Sequence, residues 1–177
     1  MKFVITLLVL ITLSLKAQNP YATLAYDSLV IYDYGDNMRG EPGSNIYKKG
    51  NAFYFTIKPA KKVKLTTGEA KDFSVKVGAD SSYGQGVASC FDPHFAAFYY
   101  KGGKAIANVE ICISCNRLDS SLDIKAPFKN PQKTDDGLVY YIDNGLSRSF
   151  RLYLKSLLNK YSFSHAPTGE SMFDTDN

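Results

Sequence analysis

At 177 residues, with 45 % hydrophobic and 21 % charged side chains, the chain has the size and composition of one globular domain, which excludes wholesale disorder, a coiled coil and a polytopic membrane protein. Thirteen Tyr and eleven Phe, with no Trp, bring the aromatic share to 14 %, and such rings favour the pleated surface of a sheet. The formal charge of +4 includes Lys2 and Lys16; without the first seventeen residues 19 bases face 17 acids, a balance that leaves no electrostatic footprint for nucleic acid.

Those seventeen residues read as a secretory leader: Lys2, an apolar run from Phe3 to Leu15, then Lys16 and Ala17 before Gln18. The run is about 13 residues long, short of the roughly 20 that span a bilayer, so cleavage after Ala17 is preferred to an uncleaved anchor. No Cys lies near this junction, so the chain reads as an exported protein, periplasmic or extracellular, and not as a lipoprotein. Leu15 is larger than the residue usual at that cleavage position. No Asn-x-Ser/Thr sequon, internal repeat or low-complexity tract occurs.

From Leu24 to Tyr34 the sequence alternates as a strand, a Gly-rich loop follows from Gly35 to Gly50, and Ala52 to Lys58 resumes a strand that Pro59 ends. Thr66 and Glu69 have the spacing of a capping box, and Ala70, Phe73 and Val77 then recur at helical spacing before Gly78. Phe73, Val75 and Val77 also alternate, which keeps a strand as the competing reading. Eight lysines between Lys48 and Lys76 face only Glu69 and Asp72. Without an arginine for bidentate anion recognition, they read as a solvated face or a blunted sheet edge.

Phe95–Tyr100 and Ala105–Ile111 flank Lys101-Gly102-Gly103-Lys104, a two-residue turn whose glycines suit positive φ. Pairing Lys101 with Lys104 in an unbroken ladder sets Ala96, Phe98, Tyr100, Ala105, Ala107, Val109 and Ile111 on one apolar face, with Phe95, Tyr99, Asn108 and Glu110 on the other. The same register sets Cys90 opposite Cys115 and His94 near both. A turn through Ile113 and Ser114, closed by Asn116 in a left-handed conformation, would swing Cys112 inward, and Asp92-Pro93 gives the opposite arm a bend.

Three readings compete for this group. A structural zinc site would use Cys90, His94, Cys112 and Cys115, because thiolates and an imidazole in paired short spacings suit a tetrahedral ion. A disulfide, expected in an exported protein, would join Cys90 to Cys115 or Cys112 to Cys115 and leave one thiol free. Redox or nucleophilic chemistry would use Cys112 of Cys-x-x-Cys, or Cys90 activated by His94, but no thioredoxin-like pattern surrounds the motif. His94 alone fits a capped turn equally well. Zinc is the leading expectation, in a binding or interaction module of unknown ligand, with the disulfide or redox readings as the alternative.

The block Ser82-Tyr83-Gly84, Cys90-Phe91-Asp92-Pro93-His94, Phe98-Tyr99-Tyr100 and Ile111-Cys112-Ile113-Ser114-Cys115-Asn116 resembles a family of small secreted or lipid-anchored Bacteroidota proteins of unknown function. The resemblance covers about half the chain, from near Leu65 to Phe163, and departs from the family in placing Phe95-Ala96-Ala97 after the histidine. It implies no activity. It implies that Cys90, His94, Cys112 and Cys115 form one site.

Leu118 to Asp136 reads as loop and Leu138 to Ile142 as a short strand. Leu146, Phe150, Leu154, Leu157, Leu158 and Tyr161 then form one helical stripe, with Arg148, Arg151, Lys155 and Lys160 opposite and Ser147 or Ser149 as N-cap. At about 15 residues the stripe suits a sheet face better than a membrane surface. Residues 164–177, His165 included, read as a disordered tail. No serine–histidine–acid set or phosphate loop can be assembled, and no enzymatic activity is assigned. The expected architecture is one α+β domain over 18–163: an antiparallel sheet built around the hairpin, joined by strands near Val30, Phe55 and Tyr140, with the C-terminal helix on its apolar face.

Overall fold

The computed structural model describes residues 19–35, 43–128, 131–141, 144–167 and 171–174; the expected leader lies outside them. In chain order the elements are β1 (Ser28–Asp33), β2 (Ile46–Lys49), β3 (Ala52–Phe55), β4 (Lys61–Lys64), α1 (Thr67–Val77), β5 (Tyr83–Gln85), β6 (Phe95–Lys101), β7 (Lys104–Cys112), β8 (Arg117–Ser120), β9 (Pro131–Lys133), β10 (Val139–Tyr141), β11 (Gly145–Leu146) and α2 (Arg148–Lys160). Five strands in the order β4-β1-β6-β7-β8 make an antiparallel sheet with the expected hairpin in it. The α+β class is therefore observed. No helix among the described residues is long and apolar enough to cross a membrane.

Gly102 and Gly103 adopt φ of 55° and 75° in the turn, and Lys101 pairs with Lys104 as the spacing predicts. The register then slips. Tyr100 pairs with Ala105 but Tyr99 with Ala107, so Ile106 is the extra residue of a β-bulge. One residue of slip exchanges faces for everything beyond it. Phe95, Ala97 and Tyr99 thus share a face with Ala107, Val109 and Ile111, while Ala96 and Phe98 share the other with Glu110.

Both helices cover the first face. Ala70, Phe73 and Val77 of α1 and Phe150, Leu154, Leu157 and Leu158 of α2 join Leu29, Ile31, Tyr99 and Val109 in the main core. The helix reading of 67–77 holds: Thr66 accepts from the Glu69 N–H, and the Glu69 carboxylate accepts from the Thr66 N–H at 2.9 Å. Ser147 is the N-cap of α2, accepting from Phe150 N.

The second face is closed by the β2–β3 hairpin. Ile46, Phe53 and Phe55 pack on Tyr34, Ala96 and Phe98. Glu110 is 1 % exposed and accepts from Tyr34 Oη at 2.7 Å, Asn45 N at 3.0 Å and the Ser44 hydroxyl. Burial pushes its carboxyl pKa up while these donors pull it down.

Three sequence expectations need correction. The strands at Phe55 and Tyr140 do not join the main sheet: β3 pairs with β2, and β10 with β9. Three strands lie in segments that read as loop, β2 within 35–50 and β8 and β9 within 118–136, whereas β4 is a lysine-rich edge whose charges oppose further strand addition, as the blunted-edge reading has it. The segment after Phe163 makes defined contacts at its described residues, with Ser164 N and Oγ donating to Asp33 Oδ2 at 2.7 and 3.0 Å.

Candidate functional site

At the open end of the β6–β7 hairpin the chain leaves β7 at Cys112, turns through Ile113–Asn116 and returns as β8, with Cys112 paired to Arg117. Asn116 takes φ of 56°, the left-handed conformation expected of it, and its N–H donates to Ile113 O at 3.2 Å. Within this turn Cys115 N donates to Cys112 Sγ at 3.2 Å.

Asn116 is fully buried and binds three segments together. Its Nδ2 donates to Gly86 O at 2.7 Å and Leu146 O at 3.1 Å, and its Oδ1 accepts from Arg151 Nη1 at 3.1 Å. Gly145 lies so close that a Cβ there would stand 2.4 Å from Asn116 Nδ2 and 2.5 Å from Gly86 O. Ala88 N completes the junction by donating to Cys115 O at 3.0 Å.

Arg151, expected on the solvent face of the helix, is 3 % exposed. Its Nη1 donates to Ile113 O at 2.6 Å, its Nε to Asp174 Oδ1 at 2.8 Å and its Nη2 to Ser171 Oγ at 2.7 Å. One guanidinium thus clamps the cysteine turn to the C-terminal segment. The sequence held the signal, since Arg151 stands three residues before Leu154 and seven before Leu158, inside the buried stripe.

Cys90 and Cys115 form a disulfide with their Cα atoms 5.7 Å apart, and Cys112 is the free, buried thiol. The zinc expectation, and with it zinc as cofactor, is thereby overturned, because two of the four expected ligands spend their sulfur valence on each other. Cys90, Cys112 and Cys115 do converge, their sulfurs lying within 4.8 Å of one another. His94 does not belong to that group. Its ring lies 4.1 Å, centroid to centroid, from His165, whose Nε2 hydrogen-bonds the Gly35 carbonyl at 3.1 Å. Burial first, and then the neighbouring His165, push the His94 pKa down.

The disulfide links two chain segments, 87–91 and 115–119, that each contribute residues to the lining of a cleft of about 270 Å3. Val87 and Phe91 flank Cys90 in the first segment, and Arg117, Leu118 and Asp119 follow Cys115 in the second. Tyr83 and Leu146 lie in the lining, and Asn144 and Pro127 complete it. Asn144 is held by its Nδ2 and N–H donating to Pro127 O at 3.2 and 2.9 Å. Neither Pro127 nor Asn144 stands in a periodic pattern, so the sequence carries no signal that marks them as site residues. Comparison with protein-family models, with curated proteins and with solved structures returns no match, so the chemistry of this site rests on its own geometry.

Proposed function

We propose that the chain is an exported, disulfide-stapled domain that receives a small amphipathic ligand in the cleft lined by the segments that Cys90–Cys115 links. The observation that carries this reading is the crosslink between two chain segments that both line the cleft. Val87, Phe91, Leu118 and Pro127 supply apolar surface, and Arg117, Asp119 and Asn144 supply polar groups that orient a ligand. A disulfide and an apolar leader both support an oxidising compartment as the place of action.

A ligand-observed NMR screen of small amphipathic compounds against the oxidised protein tests the reading. Saturable binding that disappears in Val87→Trp, where the larger side chain fills the cleft, is the expected result. No binder at all, or binding that survives the filled cleft, would refute it.

A further inference from the structure

Cys112 has no part in the staple, yet it is placed against it. Its sulfur lies within 4.8 Å of both disulfide sulfurs, and the Cys115 N–H donates to it at 3.2 Å. Ser114 Oγ lies 3.3 Å from Cys112 Sγ and 4.0 Å from Cys115 Sγ. Ser114 is exposed, as is Cys90, whereas Cys112 and Cys115 are buried. A buried thiol is ordinarily inert, but here a solvent-facing hydroxyl gives its proton a way out.

We infer that the protein isomerises its own disulfide, moving it from Cys90–Cys115 to Cys112–Cys115 and exposing Cys90 as a free thiol. The Cys112 proton leaves through the Ser114 hydroxyl to water. The resulting thiolate attacks Cys115 Sγ, the Cys112–Cys115 bond forms as the Cys115–Cys90 bond breaks, and the electron pair departs on the Cys90 sulfur. That sulfur takes a proton from water. One disulfide and one thiol are present before and after, so no oxidant or reductant is consumed. Attack on Cys115 is favoured over attack on Cys90 because it places the leaving thiolate on the exposed sulfur, where water solvates it. The exchange uncouples the Val87–Phe91 segment from the β7–β8 turn, and so connects thiol chemistry to the cleft.

The oxidised full chain, incubated at pH values above about 8 where thiols ionise, is quenched at intervals with N-ethylmaleimide and digested with trypsin. Cys90 then lies in peptide 77–101, and Cys112 and Cys115 together in peptide 105–117. The expected result is time-dependent labelling of Cys90, matched by unlabelled peptide 105–117 lighter by two hydrogens than its reduced form. The rate should be independent of protein concentration, and Cys90 labelling should vanish in Cys112→Ser and in Cys112→Ala. Labelling confined to Cys112 at every time overturns the exchange and leaves the staple intact, as does a rate that rises with protein concentration. Labelling of all three cysteines would refute the exchange and the staple together.

Discussion

Asn116 carries more of the site than any cysteine does. Its side chain holds the 86–88 segment, β11 and Arg151 at once, and its backbone occupies a conformation that costs most residues about 1 kcal/mol. Asn116→Ala leaves Gly86 O, Leu146 O and the Arg151 guanidinium short of a partner and strains the turn. A loss of about 3 kcal/mol is expected by chemical denaturation, and Asn116→Gly should recover only the backbone share. His94 makes a separate prediction. Its folded pKa lies below the usual histidine value, so the unfolded chain binds a proton first as pH falls. Stability present above about pH 6.5 should drop as the pH falls below it, and His94→Gln should flatten that limb of the pH–stability curve. An unchanged limb would assign the drop to another group.

The two helices are clipped together at one carboxylate. Glu69 closes the capping box of α1 and also accepts from Lys160 Nζ at 2.6 Å and Tyr161 Oη at 2.8 Å, at the end of α2. The Lys160 ammonium, with the Thr66 and Tyr161 donors, holds the Glu69 pKa down to about 2. A depressed folded pKa contributes stability above the unfolded carboxylate value, near 4.3, that is lost as pH falls toward 2. Glu69→Gln should therefore lower stability at neutral pH and show a shallower decline in acid, as followed by circular dichroism. Elements of this kind were legible in the sequence because their signals are local: a cap three residues from its acid, a Gly-Gly turn, a 3.6-residue stripe. The extra residue at Ile106 was not, since a bulge changes neither composition nor local pattern, and both alternating sets of the hairpin are largely apolar. For the same reason the C-terminal helix covers the expected Ala107, Val109 and Ile111 of β7 but meets Phe95, Ala97 and Tyr99 of β6 in place of Ala96 and Phe98. The cysteine group was legible in its membership for Cys90, Cys112 and Cys115, and the Cys90–Cys115 pairing stood among the alternatives. The bond itself was not legible, because spacing alone suits a metal and a disulfide alike, and His94 was drawn away by a ring, His165, in a segment without periodicity.

At the scale of the whole molecule, the Cys90–Cys115 bond is a covalent crosslink between the loop before the hairpin and the turn after it, across 25 residues of sequence. Chain-entropy arguments give such a closure about 3 kcal/mol of stability. The sheet, both helices and the β2–β3 cover have their own cores, so reduction should loosen the cleft before it unfolds the domain. Hydrogen exchange on Cys112→Ser, oxidised against reduced, isolates the staple from any disulfide exchange and tests this most directly. The account predicts that amides of 86–92, among them Ala88, which bonds to Cys115 O, lose protection on reduction while the β6–β7 ladder keeps it. Equal protection of 86–92 in both forms would contradict it.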